Sequence, residues 1–317
     1  MTALPVRLAH QLEDRPAERR WLIEGLWSAE AVGIIGGEPK CCKSFLALDM
    51  AVAVAAGANC LRRFPATQRG RVLLFAAEDS CSVVRQRLAG IAAAVGVALE
   101  ALDIHVIVAP VVRLDIELDQ KRLEETVRTL RPVLLVLDPF VRLHRIDENV
   151  SAEVAPLLDF LRGLQRRYQT AVALVHHARK GASHLRAGQA LRGSSELHAW
   201  GDSNLYMRRD ADDHLSLTVE HRAAASSSGL RVLLAADGDA LALRVTDTAT
   251  APEPNEPKLS TSDRVLAILA AAAAPMTQRE IRDLAKVRAA TIGDALASLV
   301  TEGRVSRHTG RYQLVPR

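Results

Sequence analysis

Short apolar runs that alternate with segments of helical period constrain the fold of this chain more than any other feature of its sequence. The runs occupy residues 32–35, 72–76, 104–108, 133–137 and 171–175. Continuous runs of Val, Leu and Ile of this length are typical of strands that are buried on both faces. Between them, segments such as 157–168 place leucines on one helical face and arginines on the other. Because strands and helices alternate, we predict an α/β fold with a mostly parallel sheet and right-handed crossovers.

A change of pattern, followed by a change of composition, marks the end of this domain. Residues 204–245 show short alternating strands with polar turns, which predicts antiparallel additions to the sheet edge. Residues 246–262 are rich in Thr, Ser and Pro, as a solvated linker would be. A length of 317 residues fits one large core and a small second module. We therefore predict three parts: a domain over 1–245 whose lead-in segment is 1–30, a linker over 246–259, and a second domain over 260–317.

The second domain has a helical pattern of its own. A first helix is predicted up to Pro275, and Thr277 with Glu280 three residues later predicts a capping box for a second helix. A third helix is predicted over 289–302, and a hairpin over 305–315. Three helices followed by a hairpin predict a winged helix-turn-helix of the α+β type.

The basic charge of the chain is concentrated in this tail. The net charge is +4, and residues 258–317 hold ten Lys/Arg against five Asp/Glu. We predict that the third helix enters a major groove of duplex DNA while basic side chains contact phosphates. The candidate contact residues are Arg288, Thr291, Arg304, Arg307 and Arg311. The alternative is a winged helix that docks on another protein.

A phosphate-binding motif follows the first strand directly. Residues 37–44 read GEPKCCKS and precede a helical segment over 45–56. They match G-x-x-x-x-G-K-[ST] at every fixed position but one. In this motif backbone N–H groups surround phosphate, the Lys reaches the β and γ oxygens, and the hydroxyl binds Mg²⁺. We predict that ATP and Mg²⁺ bind here, with Ser44 on the metal. The predicted nucleotide contacts are Gly37, Glu38, Pro39, Lys40, Cys41, Cys42, Lys43, Ser44 and Phe45.

Cys42 is the one departure from this motif, which has glycine at that position. If the loop keeps its usual shape, Cys42 has a positive φ, which costs roughly 1–2 kcal/mol in strain. The adjacent helix N-terminus and Lys43 predict a lowered pKa for its thiol and a reactive thiol in the empty site.

Carboxylates end two further strands. Glu78 and Asp79 follow the second strand, and Asp138 ends the fourth after a run of five apolar residues. The carboxyl edge of a parallel sheet is where ligands of α/β folds bind. A carboxylate at residues 78–79 could deprotonate an attacking water, and Asp138 has the position of an acid that holds Mg²⁺ through water.

Histidines and basic residues follow the fifth strand. It ends in His176-His177, of which one is expected to be structural and the other to sense the γ-phosphate. The loop 178–195 is polar and basic, which fits either contacts to a single strand or an ordinary solvated loop. Its candidate contacts are Arg179, Lys180, Arg186 and Arg192. Arg208 and Arg209 end the next strand, where Arg208 is the candidate for stabilising transition-state charge in a neighbouring subunit's site.

Together these motifs resemble the RecA-like hexameric ATPases related to the replicative helicases of broad-host-range plasmids, over about residues 20–245. The matching segments are GEPKCCKS, AAED, LLVLDP, VHHARKG and LRGSS. The resemblance implies that Lys43 and Ser44 bind phosphate and Mg²⁺, that Glu78 is the catalytic base, that Asp138 is the acid that holds the metal, and that His177 is the sensor. It also implies a ring, most simply a hexamer, around single-stranded DNA. The arginine that acts across subunits is not carried over by a motif.

The composition restricts the class of protein and the cellular compartment. With 49% hydrophobic and 25% charged residues the chain is expected to be globular. Its apolar runs are shorter than the roughly 20 residues of a membrane helix, and its first residues lack the apolar core of a secretory signal. Cys41, Cys42, Cys60 and Cys81 lack zinc-ligand spacing and are expected to be reduced thiols. We expect a cytoplasmic protein with no membrane contact.

Three functions fit these residues. The first is an ATP-driven helicase or translocase of a plasmid, phage or other mobile element. The second is a regulatory DNA-binding ATPase whose nucleotide state controls oligomerisation. The third is a clamp or adaptor that hydrolyses ATP weakly because of Cys42.

Overall fold

The computed structural model describes residues 4–11, 20–177, 195–209, 214–237, 240–246, 261–272, 274–285, 289–308 and 310–315. The chain divides into two compact units, Met1–Thr248 and Ala249–Arg317. The linker predicted over 246–259 lies outside the described residues except for Thr246. No helix in the described part of the chain combines the length and the apolar character that a bilayer crossing requires.

The N-terminal unit alternates strands and helices along the chain. Its strands are β1 (Trp21–Ile23), β2 (Trp27–Ser28), β3 (Val32–Gly37), β4 (Asn59–Cys60), β5 (Phe64–Pro65), β6 (Val72–Ala76), β7 (Ile104–Val106), β8 (Leu134–Asp138), β9 (Ala171–His177), β10 (Ser203–Arg209), β11 (Leu215–His221), β12 (Ser227–Asp237) and β13 (Ala240–Val245). Its α-helices are α1 (Lys43–Ala56), α2 (Cys81–Ala94), α3 (Glu117–Leu130), α4 (Ser151–Tyr168) and α5 (Ser195–Trp200). A short 3₁₀ helix, Phe140–Arg142, follows β8.

A nine-stranded sheet, in the order β13-β12-β11-β10-β3-β9-β8-β6-β7, forms the centre of this unit. The strands from β10 to β7 are parallel, and β11, β12 and β13 extend the sheet in antiparallel fashion. The predicted α/β class, with a mostly parallel sheet and antiparallel edge strands, is confirmed. Because the inner strands are parallel, their carboxyl ends meet at one edge, where the predicted site residues lie.

One part of the edge prediction is wrong. The first of the strands predicted to be antiparallel, β10, runs parallel to β3, with Leu205 opposite Ile35. The physical reason is α5, whose Leu197 and Trp200 are buried in the same core as leucines of α4. The chain therefore returns to the sheet after a helix packed on its face, and such a return is parallel.

Helices cover both faces of the sheet and bury two apolar cores. The first core joins α1 and α2 to one face, with Met50 and Ile91 buried completely. The second joins α3, α4 and α5 to the other face, with Val127 and Leu161 buried completely. Helix α1 is buried on nearly every side, which explains why its sequence is alanine-rich rather than amphipathic.

The C-terminal unit is small and mostly helical. It contains α6 (Thr261–Ala271), β14 (Met276–Thr277), α7 (Gln278–Ala285), α8 (Ala289–Thr301), β15 (Val305–His308) and β16 (Arg311–Leu314). The strands form an antiparallel sheet in the order β14-β16-β15. Val265, Ile281, Leu296 and Tyr312 belong to its core. The helices and the hairpin follow the predicted order, and β14 is an additional strand.

The predicted capping box is present at the start of α7. The backbone N–H of Thr277 donates to Glu280 Oε2 at 2.7 Å, and the N–H of Glu280 donates to Thr277 Oγ1 at 3.3 Å. These reciprocal bonds satisfy two N–H groups that a helix terminus leaves without partners.

Candidate nucleotide-binding site

The loop between β3 and α1 has the backbone shape that the phosphate-binding motif requires. Cys42 precedes the first residue of α1 and has φ 65° and ψ 26°, so the expected positive φ is observed. Gly37, at φ 156°, ends β3. A Cβ there would lie 2.3 Å from the Met207 carbonyl oxygen and 2.6 Å from Cys41 Sγ, so only glycine fits. The loop therefore packs tightly against β10 and turns into α1 through a left-handed residue.

Lys43 and Cys41 close this loop onto itself. The Lys43 ammonium donates to the Glu38 carbonyl at 2.7 Å and lies 3.8 Å from Cys41 Sγ. The Cys41 thiol donates to the same carbonyl at 2.9 Å, and burial raises the pKa of this thiol. Lys43 is itself buried, although its charge needs compensation. A lysine held by one carbonyl in a loop is poised to exchange that partner for a phosphate oxygen.

Cys42 does not have the activated thiol that the sequence predicted. Burial raises the pKa of the Cys42 thiol, and the opposing effects of Arg209 and Lys43 are smaller. Arg209 Nη2 lies 3.9 Å from Cys42 Sγ and donates to the Lys40 carbonyl at 3.3 Å. The prediction of a lowered pKa is therefore wrong, because the thiol is half-buried against the core rather than open to solvent at the helix terminus.

Ser44 and Asp138 meet at the carboxyl edge of the sheet. Ser44 lies in the first turn of α1 and Asp138 at the end of β8, and the Ser44 hydroxyl is near enough to the Asp138 carboxyl to affect its pKa. Asp138 is buried, and this burial raises its pKa to about 6; the Ser44 hydroxyl opposes the rise, and nearby Asp79 and Glu78 add to it. A hydroxyl and a carboxylate side by side are oxygen donors of the kind that Mg²⁺ prefers.

Glu78 and Asp79 lie beside this pair, and each is held by its own arginine. The Ala77 N–H donates to the Asp138 carbonyl at 2.7 Å and ties the ends of β6 and β8 together. Arg142 Nε donates to Glu78 Oε1 at 2.8 Å. Arg87 of α2 forms an ion pair with Asp79, and its guanidinium also lies 5.1 Å from the ring centre of Phe45. Sequence reasoning missed both arginines.

The two histidines of β9 occupy different environments. His176 is buried, with its ring centre 5.9 Å from that of Phe140 and its Nδ1 3.9 Å from Glu148 Oε1. His177 is half-buried and stands opposite Gly37 in the parallel register. His176 is thus enclosed by other side chains, whereas His177 stands at the sheet edge beside the start of the phosphate-binding loop, and its role as a sensor stays a prediction. Sequence reasoning missed His144 and Glu148, which join His176; the polar segment HRIDEN after β8 was the available signal.

The end of β10 brings Arg209, and not Arg208, to the phosphate-binding loop of its own chain. Neighbouring residues of a strand point to opposite faces, so Arg208 lies on the other side of the sheet from this contact. Both arginines are half-buried.

The predicted nucleic-acid contacts fall into two groups. Arg179, Lys180, Arg186, Arg192 and Arg288 lie outside the described residues, as does the side chain of Thr291 in α8. The other three predicted contacts are arginines of the C-terminal unit, and each interacts with a nearby residue at the surface. Arg304 pairs with Glu302 at 3.7 Å, Arg307 stacks over Tyr312 at 5.6 Å, and Arg311 donates to the Pro275 carbonyl at 2.9 Å.

Comparisons with known proteins give a family match and similar solved structures. Residues 2–183, more than half of the chain, match a family described as AAA domain. No curated protein sequence matches the chain. A structure of the RadB recombinase is similar with a TM-score of 0.48 and 16% identity, covering 65% of this chain and 88% of that chain.

A DnaB-like replicative helicase, solved in a study of its interactions with primase, is similar with a TM-score of 0.51 and 14% identity. The match covers 66% of this chain and only 56% of the helicase, and at this identity it supports the fold alone. With the phosphate-binding loop and the strand-end carboxylates, the family match identifies this chain as a member of the AAA domain family with a RecA-like P-loop ATPase fold.

Proposed function

We propose that this chain is an ATP-hydrolysing DNA motor, a ring-forming helicase or translocase of the replicative type. The observation that carries the proposal is the meeting of four segments at one sheet edge: the loop 37–44, the carboxylates after β6, Asp138 at the end of β8, and His177 at the end of β9. These are the parts that phosphoryl transfer to water requires.

The residues at this sheet edge have the chemistry needed to bind Mg²⁺ and a nucleoside triphosphate. The Ser44–Asp138 pair supplies hard oxygen donors, and buried Lys43 supplies a cation within the loop. When bound, Mg²⁺ would neutralise negative charge on the phosphates of ATP. Ser44 and Asp138 would hold the metal, while Lys43 and the backbone N–H groups of the loop would hold the phosphates.

We assign the remaining roles at the site as follows. Glu78 orients a water and accepts its proton, because its carboxylate lies at the strand end beside Asp138. His177 senses the γ-phosphate from the end of β9, opposite the first residue of the phosphate-binding loop. Phe45, the last residue of the predicted nucleotide contacts, packs under Arg87 and helps to fix α2 against α1.

A ring, most simply a hexamer, would complete these sites. Arg208 lies on the face of β10 opposite the contact that Arg209 makes with the loop of its own chain. We assign Arg208 to a neighbouring subunit's γ-phosphate, where a delocalised cation offsets transition-state charge. Closed cyclic symmetry lets each subunit complete the next site. Single-stranded DNA would pass through the channel and contact the loop 178–195.

The C-terminal unit is assigned to duplex DNA as a winged helix-turn-helix. Its support is the element order, a core of its own, and surface arginines on the hairpin. Helix α8 would enter the major groove, and Arg304, Arg307 and Arg311 would contact phosphates.

A regulatory DNA-binding ATPase is the second candidate, and this separate basic unit is the observation in its favour. ATPase rate with and without single-stranded DNA, measured together with native mass, distinguishes the two. The motor requires strong stimulation by single strands and a ring mass. A regulator would bind duplex sites in a sequence-specific manner, and single strands would leave its rate nearly unchanged. A strictly monomeric protein with full activity in the presence of DNA would exclude the ring.

A further inference from the structure

The carboxylate assigned as base is engaged by a neighbouring guanidinium. Arg142 Nε donates to Glu78 Oε1 at 2.8 Å, across 64 positions of sequence. A carboxylate oxygen that accepts a guanidinium N–H is less available to accept a proton from water. The contact therefore opposes the role that Glu78 has in the proposed function.

The backbone that carries Arg142 is anchored from two sides. Arg113 Nη1 donates to the carbonyls of Arg142 and His144, at 2.9 Å in each case. The buried ring of His144 packs against Phe140 with ring centres 4.4 Å apart. These contacts hold the backbone around Arg142 in place. The position of its guanidinium beside Glu78 therefore depends on this backbone as well as on the rotamer of the side chain.

A second anchor joins this segment to the end of β9. His144 Nε2 lies 3.3 Å from Glu148 Oε1, and the same oxygen lies 3.9 Å from Nδ1 of buried His176. His176 precedes His177, the assigned sensor. The segment 139–150 thus contacts both the base and the strand that ends in the sensor.

The Asp79–Arg87 ion pair is less exposed to solvent than the Glu78–Arg142 pair. The side chains of Asp79 and Arg87 are each 28% exposed, whereas Glu78 is 44% and Arg142 is 60% exposed. Of these two pairs, the Arg142–Glu78 pair is therefore the one that a solvent-borne anion can reach and compete with. Exposed ion pairs are weak, so such competition needs little energy.

We propose that Arg142 is a positioning residue that restrains Glu78 until a backbone phosphate of single-stranded nucleic acid draws its guanidinium away. Arginine binds phosphate oxygens in the same forked geometry as carboxylates, which makes the exchange direct. The proposal rests on the proposed function, since it needs Glu78 as base and a single strand as ligand. It makes one part of the DNA stimulation of hydrolysis, of about two- to fivefold, a property of this ion pair.

The test measures kcat and KM for ATP with and without a single-stranded oligonucleotide in Arg142→Ala and Arg142→Lys. In Arg142→Ala the DNA-free kcat should rise by roughly two- to fivefold, the range in which an exposed ion pair shifts a two-state equilibrium. Its KM and its DNA-stimulated kcat should stay at the wild-type values. Arg142→Lys restores a cation and should return the DNA-free rate towards wild type.

The matched control is Arg128→Ala, which removes the exposed Arg128–Glu125 pair of α3 and should change neither rate. If Arg142→Ala does not fold, Arg142→Gln gives the same comparison with an uncharged side chain of similar length. A DNA-free kcat that is unchanged or lowered would overturn the proposal. Glu78→Gln distinguishes failure of the base assignment from failure of the restraint by Arg142. Normal hydrolysis by Glu78→Gln would refute Glu78 as the base. An inactive Glu78→Gln, together with an Arg142→Ala variant whose DNA-free kcat is unchanged, would refute only the restraint.

Discussion

The carboxyl edge of the large sheet and the small C-terminal unit are built in opposite ways. At the sheet edge, polar and charged side chains from distant segments meet, and several of them are buried, as are Lys43, Asp138 and His176. In the C-terminal unit, the ion pairs that the structure describes lie at or near the surface and join residues close in sequence, as in the Arg304–Glu302 pair. Buried groups that share partners act as a unit, whereas exposed groups act nearly independently.

The difference predicts two kinds of response to substitution. A change at the sheet edge should remove a function or shift stability by several kcal/mol, because it leaves other buried groups without partners. A change at the surface of the C-terminal unit should give small, additive effects that depend on salt.

Lys43→Ala should have the largest effect. It removes the only cation that bonds the Glu38 carbonyl from within the loop and the group assigned to the β and γ oxygens. Since lysine holds phosphate in both the ground and the transition state, nucleotide binding and hydrolysis should both fall by about 100-fold or more. Titration with a fluorescent nucleotide and steady-state ATPase assays check this. Lys121→Ala, which removes an exposed pair on α3, is the control and should match wild type. Wild-type nucleotide affinity in Lys43→Ala would place the site elsewhere.

Asp138→Asn should stabilise the nucleotide-free protein at neutral pH. The native pKa of Asp138 is about 6, above the ordinary value of 3.8, so the folded state holds the proton more tightly. The stability that Asp138 contributes is complete below about pH 4 and lost as pH rises through about 6. Asparagine keeps a side chain of the same shape beside Ser44 without the buried charge. The gain in free energy of unfolding at pH 7.5 should be about 2–3 kcal/mol, and it should vanish near pH 4.

Thermal melts of the metal-free protein across this pH range provide the measurement. Asp103→Asn is the control of opposite sign, because the bond from Arg71 lowers the pKa of Asp103. That variant should lose stability at neutral pH and match wild type at low pH. An Asp138→Asn protein that is less stable than wild type at pH 7.5 would show that the carboxylate is stabilising despite its burial.

Cys42→Gly should produce a smaller effect of the same favourable sign. The residue has φ 65°, a conformation that costs an L side chain about 1 kcal/mol or more and costs glycine nothing. The substitution also removes the contact between Arg209 and the thiol, which offsets part of the gain. Nucleotide affinity should be retained or improved, and Cys81→Ser at an exposed cysteine serves as control. Loss of ATP binding in Cys42→Gly would mean that the loop is organised around the side chain.

Single arginine substitutions in the C-terminal unit should have the smallest effects. Arg307→Ala removes an exposed cation that stacks on Tyr312 and is assigned to a phosphate. Duplex DNA affinity of the full chain should weaken slightly, and the slope of log affinity against log salt should fall by about 1. Fluorescence anisotropy at several salt concentrations measures both. A duplex affinity with no salt dependence in the wild-type chain would favour protein docking by this unit.

Elements that are specified by a short stretch of sequence could be predicted from the sequence alone. The strands β3, β6, β8 and β9 are continuous apolar runs, and the Thr277–Glu280 box is a four-residue signal that the structure reproduces. The positive φ of Cys42 also followed, because the motif fixes the backbone of the loop. The parallel direction of β10 did not follow, since it depends on the packing of α5 against the sheet.

Features of the site that depend on three-dimensional neighbours could not be predicted. The pairing of Arg142 with Glu78, and of Arg87 with Asp79, joins side chains whose order in the sequence carries no signal. The pKa of the Cys42 thiol was predicted to fall because the helix N-terminus and Lys43 are visible in the sequence. Its burial is not visible there, and burial is the larger effect.

The central claim is that this sheet edge hydrolyses ATP with Glu78 as base, and Glu78→Gln tests it most directly. ATP binding and single-turnover hydrolysis should be measured on the same preparation, with Asp79→Asn as the matched neighbour whose carboxylate is held by Arg87. The account predicts that Glu78→Gln binds ATP within about threefold of wild type and hydrolyses it at least about 100-fold more slowly, while Asp79→Asn keeps most of its activity. Normal hydrolysis by Glu78→Gln, or loss of activity confined to Asp79→Asn, would contradict the account.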